Sequence, residues 1–157
     1  MKDKKALIFY FLMTVILLDF GNQIRKLSFN PFFETLDNPI VSIFHVTNSG
    51  SAWGILQGKT LFLSFLAFVV LVFLSLYVIK NISFKDRIPL LASTLFAAGT
   101  LGNLVERIKF GYVVDYIKLN FIDFPIFNCF DIMICLSITI YFVYILLDTI
   151  KQKKASK

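Results

Sequence analysis

Histidine and cysteine are almost missing from this chain, and their scarcity removes whole classes of chemistry. His45 is the sole histidine among 157 residues. It sits in a strand-like run with no HExxH pattern and no second histidine, so a structural role is expected of it and no metal site is expected. The two cysteines, Cys129 and Cys135, make no metal-type pair and are read as small apolar packing residues. GxSxG, a Walker loop and a Cys–His pairing are all missing, which leaves nucleophilic catalysis by serine or cysteine without support. There are no repeats, no low-complexity segments and no sign of a second domain, so one domain over residues 1–157 is expected.

What is there is hydrophobic. The chain is 57% hydrophobic and 17% aromatic, with a mean hydropathy of +0.76, and soluble domains do not have that composition. The net charge of +6 is compatible with nucleic acid, but the cations lie mainly in short clusters beside apolar runs. That is a membrane-topology pattern, and nucleic acid is not expected as a partner. Residues 6–24 carry a single charge, Asp19, while 60–79, 88–105 and 132–147 carry none. About 20 helical residues at ~1.5 Å each cross the hydrocarbon. Four transmembrane helices are therefore expected, at about 6–24, 60–79, 88–106 and 130–148. The expected fold class is an all-α integral membrane protein of four such helices with a small extracytoplasmic, β-containing loop region.

The lysines at 2, 4 and 5 followed by an apolar run imitate a signal peptide. No small-x-small cleavage site follows, only Leu17-Leu18-Asp19-Phe20-Gly21, so an uncleaved first span is expected. Residues 1–5, 80–87 and 151–157 hold three, three and four Lys/Arg, ten of the sixteen. Four spans put all three clusters on one side, which the positive-inside rule makes cytoplasmic, both termini included. The longer connections, 25–59 and 106–130, then face outward. Pro31, Asn38, Pro39, Gly50, Gly54 and Gly58 punctuate the first of them, and the β-branched and aromatic run 40–46 predicts a short strand. Trp53 and the many phenylalanines read as lipid-facing or interfacial residues.

Against this background two acids stand out. Asp115 ends the apolar run Gly111-Tyr112-Val113-Val114, and Asp131 opens the last hydrophobic segment. A carboxylate near hydrocarbon costs at least ~2 kcal/mol, so it marks chemistry, transport or a buried ion pair. The stretch between them contains Asp123 and Pro125 and can fold back as a loop, and two acids meeting there can share a proton. In the third span Ala97, Ala98, Gly99 and Gly102 form a small-residue face for close helix approach. Asn103 and Arg107 share a face, with Glu106 adjacent; they either finish a helix contact or hydrogen-bond the loop that holds Asp115. Asn128 and Asp131 are three apart, which suits an N-terminal cap, and the helix dipole there favours an ionised carboxylate. Asp19 is read as a support, pairing with Arg25 or Lys26 or orienting the outer loops.

Four motifs occur in one order: Asn48-Ser49-Gly50-Ser51-Ala52-Trp53, Gly102-Asn103-Leu104-Val105-Glu106-Arg107, Gly111-Tyr112-Val113-Val114-Asp115 and Phe127-Asn128-Cys129-Phe130-Asp131. Together they resemble bacterial lipoprotein signal peptidase, the signal peptidase II family (aspartic peptidase family A8), over nearly the whole chain. The resemblance implies a membrane aspartic endopeptidase that removes signal peptides from diacylglyceryl-modified prolipoproteins, cutting just before the lipid-modified cysteine. It implies Asp115 and Asp131 as the catalytic pair. Asp19, Asn48, Gly50, Ala52, Asn103, Arg107, Val114 and Asn128 follow as substrate-binding or supporting residues. It further implies no metal or cofactor, prolipoproteins and membrane lipid as partners, a monomer, and residence in the bacterial plasma (inner) membrane with the active site at the extracytoplasmic face. Three positions depart from the family's pattern: Glu106 stands where Asp is usual, Phe130 replaces a small residue and adds bulk beside the acid pair, and Gln23 takes the Lys position of a D-x-x-x-K motif that begins at Asp19. The rival readings are a four-span binding or assembly protein without catalysis, a paralogue of reduced activity, and a small proton-coupled transporter. The last is disfavoured by acids that cluster at one face.

Overall fold

The computed structural model describes residues 3–34 and 36–155, and of Phe33, Glu34 and Ala52 the backbone alone. Four long helices form its body: α1 (Lys4–Ser28), α3 (Thr60–Asn81), α4 (Arg87–Phe110) and α5 (Cys129–Ala155). Each is long and apolar enough to cross a membrane. Between α1 and α3 lie a single-turn helix α2 (Pro31–Glu34), a strand β1 (Val41–Asn48) and a 3-10 turn (Ala52–Gly54), and a second strand β2 (Val113–Leu119) joins α4 to α5. The chain is thus a multi-pass membrane protein of four apolar helices carrying a small two-stranded sheet.

Local signals explain where the helices start and stop. The Asp3 carboxylate accepts the Lys5 and Ala6 N–H groups at 3.1 and 3.4 Å, capping α1. Pro89 sits in the first turn of α4, where its missing N–H has no helical partner to lose. Gly111 ends that helix in the left-handed conformation, φ 79°, and its N–H closes onto the Arg107 carbonyl at 3.0 Å. At one end of the bundle Asp3 also receives Ser83 Oγ and the Phe84 N–H at 2.9 and 2.7 Å, tying the start of α1 to the α3–α4 connection. At the other end Thr60 Oγ1 donates to the Gly111 carbonyl at 2.9 Å, and the sheet lies there too.

Helix α4 is the hub, packing on α1, α3 and α5. Its small-residue face is used as the sequence suggests, but by an unexpected guest. The Phe130 ring lies between Gly21 of α1 and Gly102 of α4, and a methyl group on either glycine would overlap it. A methyl group on Gly99 would strike the Phe130 carbonyl and Ile134. Phe130 is therefore a buried wedge between helices. Its ring fills the space that the two glycines leave and is not part of the lining of the cleft that holds the acids.

The sheet is antiparallel, with Asn48 opposite Val113 and Val41 opposite Leu119. Between the Ile43↔Ile117 and Val46↔Asp115 pairs β1 spends one residue more than β2, a bulge. The expected strand at 40–46 appears as β1. Its partner falls where the sequence shows only an apolar run ending in Asp115.

Candidate active site

Asp115 lies in β2 and Asp131 in the first turn of α5, and Asn128 joins them. The Asn128 side chain donates to Asp115 Oδ1 at 2.8 Å, while its backbone N–H donates to Asp131 Oδ2 at 3.0 Å. Its own amide oxygen accepts the Phe130 and Asp131 N–H groups at 2.7 and 3.1 Å. This is a reciprocal capping box: residue 128 caps the helix, and the acid three positions on reaches back to the cap's N–H. One motif that starts α5 thus also fixes both carboxylates.

Two further amides complete the cradle. Asn48, the last residue of β1, donates to Asp115 Oδ2 at 2.9 Å. Asn103 of α4 donates to Asp131 Oδ1 at 2.8 Å and accepts from Asn128 Nδ2 at 3.2 Å. All four carboxylate oxygens hold one amide donor each, and each oxygen keeps a second lone pair. Amides do not give up protons at neutral pH, so a mobile proton here belongs to the carboxyl groups. Asp115 is 4% exposed. Burial pushes its carboxyl up to about 6; Asn48 works against this, the nearby Asp131 charge adds to it, and Asn128 and Arg107 oppose it.

The other expected site residues fall into distinct places. Arg107 lines the same cleft and donates to the Gly50 carbonyl at 2.9 Å and, more weakly, to the Asn103 carbonyl at 3.4 Å. Its side chain clamps the loop after β1; among the described residues neither its side chain nor that of Asn103 bonds residues 111–114, which Arg107 meets only through its carbonyl and the Gly111 N–H. Gly50 gives its N–H to Asn48 Oδ1 at 2.9 Å, and a side chain there would meet the Ile55 carbonyl at 2.8 Å. Val114 is buried opposite Thr47. Ala52 starts the 3-10 turn, and its side chain lies outside the described residues. Asp19 is exposed and, among the described residues, is hydrogen-bonded only by Gln23 at 3.5 Å. It pairs with neither Arg25 nor Lys26, because Arg25 turns to Glu106 instead. His45 stacks on Phe29 at 3.8 Å and meets Ser28 Oγ at 3.0 Å, fastening β1 to the end of α1.

The acids open onto a cleft of about 1130 Å³. Its polar end holds Asn48, Asn103, Arg107, Asp115 and Asp131, and its walls are apolar residues of α3, α5 and the loops at the sheet end of the bundle. Trp53, read as an interfacial residue, meets Phe124 edge-on at 5.9 Å across the cleft lining, in a backbone conformation with φ 55°. Among the described residues no three His, Cys, Asp or Glu side chains converge as metal ligands would.

Sequence reasoning missed the role of Glu106. Its carboxylate is 4% exposed, accepts the Val114 N–H at 2.8 Å and lies 2.8 Å from Arg25 Nε. An acid at the end of an apolar helix is itself a signal, one masked here by the adjacent Arg107.

Comparison with known proteins gives a consistent picture. A family model described as Signal peptidase (SPase) II matches residues 11–147. A lipoprotein signal peptidase of Enterococcus faecalis is 31% identical over 159 aligned residues, covering 98% of this chain and 94% of that protein. One from Staphylococcus aureus is 38% identical over 109, covering 68% of this chain and 66% of that protein. A bacterial membrane enzyme solved by the in meso method at 2.3 Å superposes with a TM-score of 0.81 at 29% identity, over 95% of this chain and 94% of that one. A second, at 1.9 Å, gives 0.74 at 29% identity over 87% and 92%.

Proposed function

The chain belongs to the signal peptidase II family of membrane peptidases, and from that premise we propose that Asp115 and Asp131 are its catalytic dyad. The reaction is hydrolysis of the peptide bond just before the diacylglyceryl-modified cysteine of a prolipoprotein. One aspartate, ionised, takes a proton from water as the water oxygen attacks the scissile carbonyl carbon. The other, protonated, donates to the carbonyl oxygen to give a tetrahedral diol; the first then passes its proton to the leaving amine as the C–N bond breaks, and the second takes its proton back as the carbonyl re-forms. The pair titrates as a unit, so the two roles belong to the dyad together. Asn48, Asn103 and Asn128 orient the carboxylates, Arg107 and Gly50 hold the loop that carries Asn48, and the apolar cleft receives the lipid-bearing end of the substrate.

The observation that carries this reading is the bridge made by Asn128, which bonds both carboxylates at the polar end of an apolar cleft. An assembly protein has no need to hold two acids together with a lone pair free on every oxygen. The whole chain works as one membrane domain, a monomer, in the bacterial plasma membrane. Its termini are cytoplasmic and its sheet end is extracytoplasmic, because the basic clusters lie at the helix ends away from the sheet.

Purified protein should be given a diacylglyceryl-modified prolipopeptide and its unmodified twin. The expected result is cleavage of the lipidated peptide alone, with the modified cysteine as the new N-terminus. Equal cleavage of both, or of neither, would sink the substrate assignment.

A further inference from the structure

One ion pair at the sheet end of the bundle, between buried Glu106 and half-buried Arg25, belongs to neither the dyad nor the cleft. Glu106 divides its carboxylate between two partners: Oε2 accepts the Val114 N–H at 2.8 Å, and Oε1 lies 2.8 Å from Arg25 Nε. The bonded N–H fixes the Val113–Val114 peptide, one unit before the peptide that carries Asp115, and so helps to set where the Asp115 side chain leaves the strand. We infer that Arg25 is a positioning residue for Asp115, acting through the Glu106 carboxylate and the Val114 N–H. The inference rests on the dyad reading above.

Each link has a physical reason. A carboxylate with 4% exposure has lost its water and must be answered by charge and hydrogen bonds, or it moves or takes up a proton. Arg25 supplies that charge as an ion pair, its Nε facing Glu106 outside hydrogen-bond geometry. Its guanidinium lies 5.5 Å from the Phe29 ring and 5.3 Å from the Phe110 ring, so the ends of α1 and α4 bracket it. Phe29 in turn stacks on His45 of β1 at 3.8 Å. Arg25 also sits in the last turn of α1, where the helix end favours a cation. The link therefore ties α1, α4 and both strands to the residue before Asp115. Neither Arg25 nor Glu106 lines the cleft, so their effect reaches the acid and not the bound peptide. Position 23 cannot take over this task. It lies about 200° around the helix from position 25, and Gln23 turns to Asp19.

A double-mutant cycle tests the link. Glu106→Gln keeps an oxygen for the Val114 N–H but removes the charge that Arg25 answers. In the wild-type background Arg25→Met should lower kcat for the lipidated peptide about tenfold with KM changed less than about twofold. It should also speed amide exchange across residues 111–117 relative to α3. In the Glu106→Gln background the same change should cost less than about twofold on both measures, because the two sites are coupled. Arg25→Lys should recover most of kcat by restoring the charge, and Arg25→Gln can replace Arg25→Met in the cycle should the latter fail to fold. The inference is overturned if Arg25→Met leaves kcat per folded molecule unchanged, or costs as much in the Glu106→Gln background. A failure of the dyad reading would be seen separately, as cleavage by Asp115→Asn, and would leave the exchange comparison standing.

Discussion

Helices α3 and α4 are adjacent, of similar length and uncharged over most of their extent, yet they are built for opposite surroundings. In α3 only 6% of the most apolar stretch is buried, and its mean hydropathy is 2.8; in α4 the figures are 67% and 1.5. The more hydrophobic helix is the outer one. In water that order would be reversed, but lipid rewards large apolar side chains on the outside and leaves small and polar ones for the helix contacts. Helix α3 accordingly turns Leu61, Phe65 and Phe73 outward. Helix α4 spends its positions on Ala97, Ala98, Gly99 and Gly102 for close approach, then on Asn103, Glu106 and Arg107 where the bundle meets the sheet. The contacts that hold the two acids thus come from α4, the start of α5 and the two strands, with none from α3 among the described residues.

The largest expected effect lies at that junction. Asn128 bridges the two acids and caps α5, so Asn128→Ala should lower kcat about 100-fold or more while costing about 1 kcal/mol of stability as a lost cap. Steady-state cleavage and thermal unfolding separate the two. If stability falls and activity per folded molecule does not, Asn128 is a cap only.

Next is the pH dependence of stability. Asp115 is held up to about 6, against an ordinary value of 3.8. Between those values the native protein keeps a proton that the unfolded chain has released. Stability should therefore fall as pH rises from about 4 to about 6, by about 3 kcal/mol, and level off above. Asp115→Asn should flatten this fall. Unfolding midpoints of both proteins across that range are the check, and parallel curves would mean that Asp115 is not perturbed.

The wedge should show a smaller effect. Gly102→Leu drives a side chain into the Phe130 ring and should cost about 1–3 kcal/mol, and a large part should return when Phe130→Ala is added. Without that recovery, the glycine is serving something other than Phe130. Smallest of all, Phe65→Leu on α3, at a position 66% exposed, should change stability by less than about 0.5 kcal/mol and leave cleavage alone. A large loss there would break the contrast between the two helices.

Much of this was legible in the residues. The four helices announced themselves through uncharged apolar runs, β1 through its β-branched composition, and the acid pair through carboxylates that hydrocarbon does not tolerate without reason. Other features depend on partners far away in the chain. Strand β2 exists because 113–119 pairs with 41–48, and nothing in its seven residues announces that partner. Phe130 beside Asp131 in sequence suggested crowding of the site, but its direction is set by glycines at 21 and 102. Asp19 and Arg25 suggested a local pair on one helix, until Glu106 supplied a buried carboxylate for which Arg25 is the nearer answer. Composition reports how much a residue tolerates lipid or water, whereas the direction of a side chain is decided by the slot that other segments leave for it.

The central claim is that Asp115 and Asp131 act as one catalytic pair. Its most direct test is single-turnover cleavage of a diacylglyceryl-modified prolipopeptide by purified Asp115→Asn and Asp131→Asn proteins, each first shown to be folded by its thermal unfolding. The account predicts that both variants bind the lipopeptide and neither releases the signal peptide. Substantial cleavage by either one would contradict it.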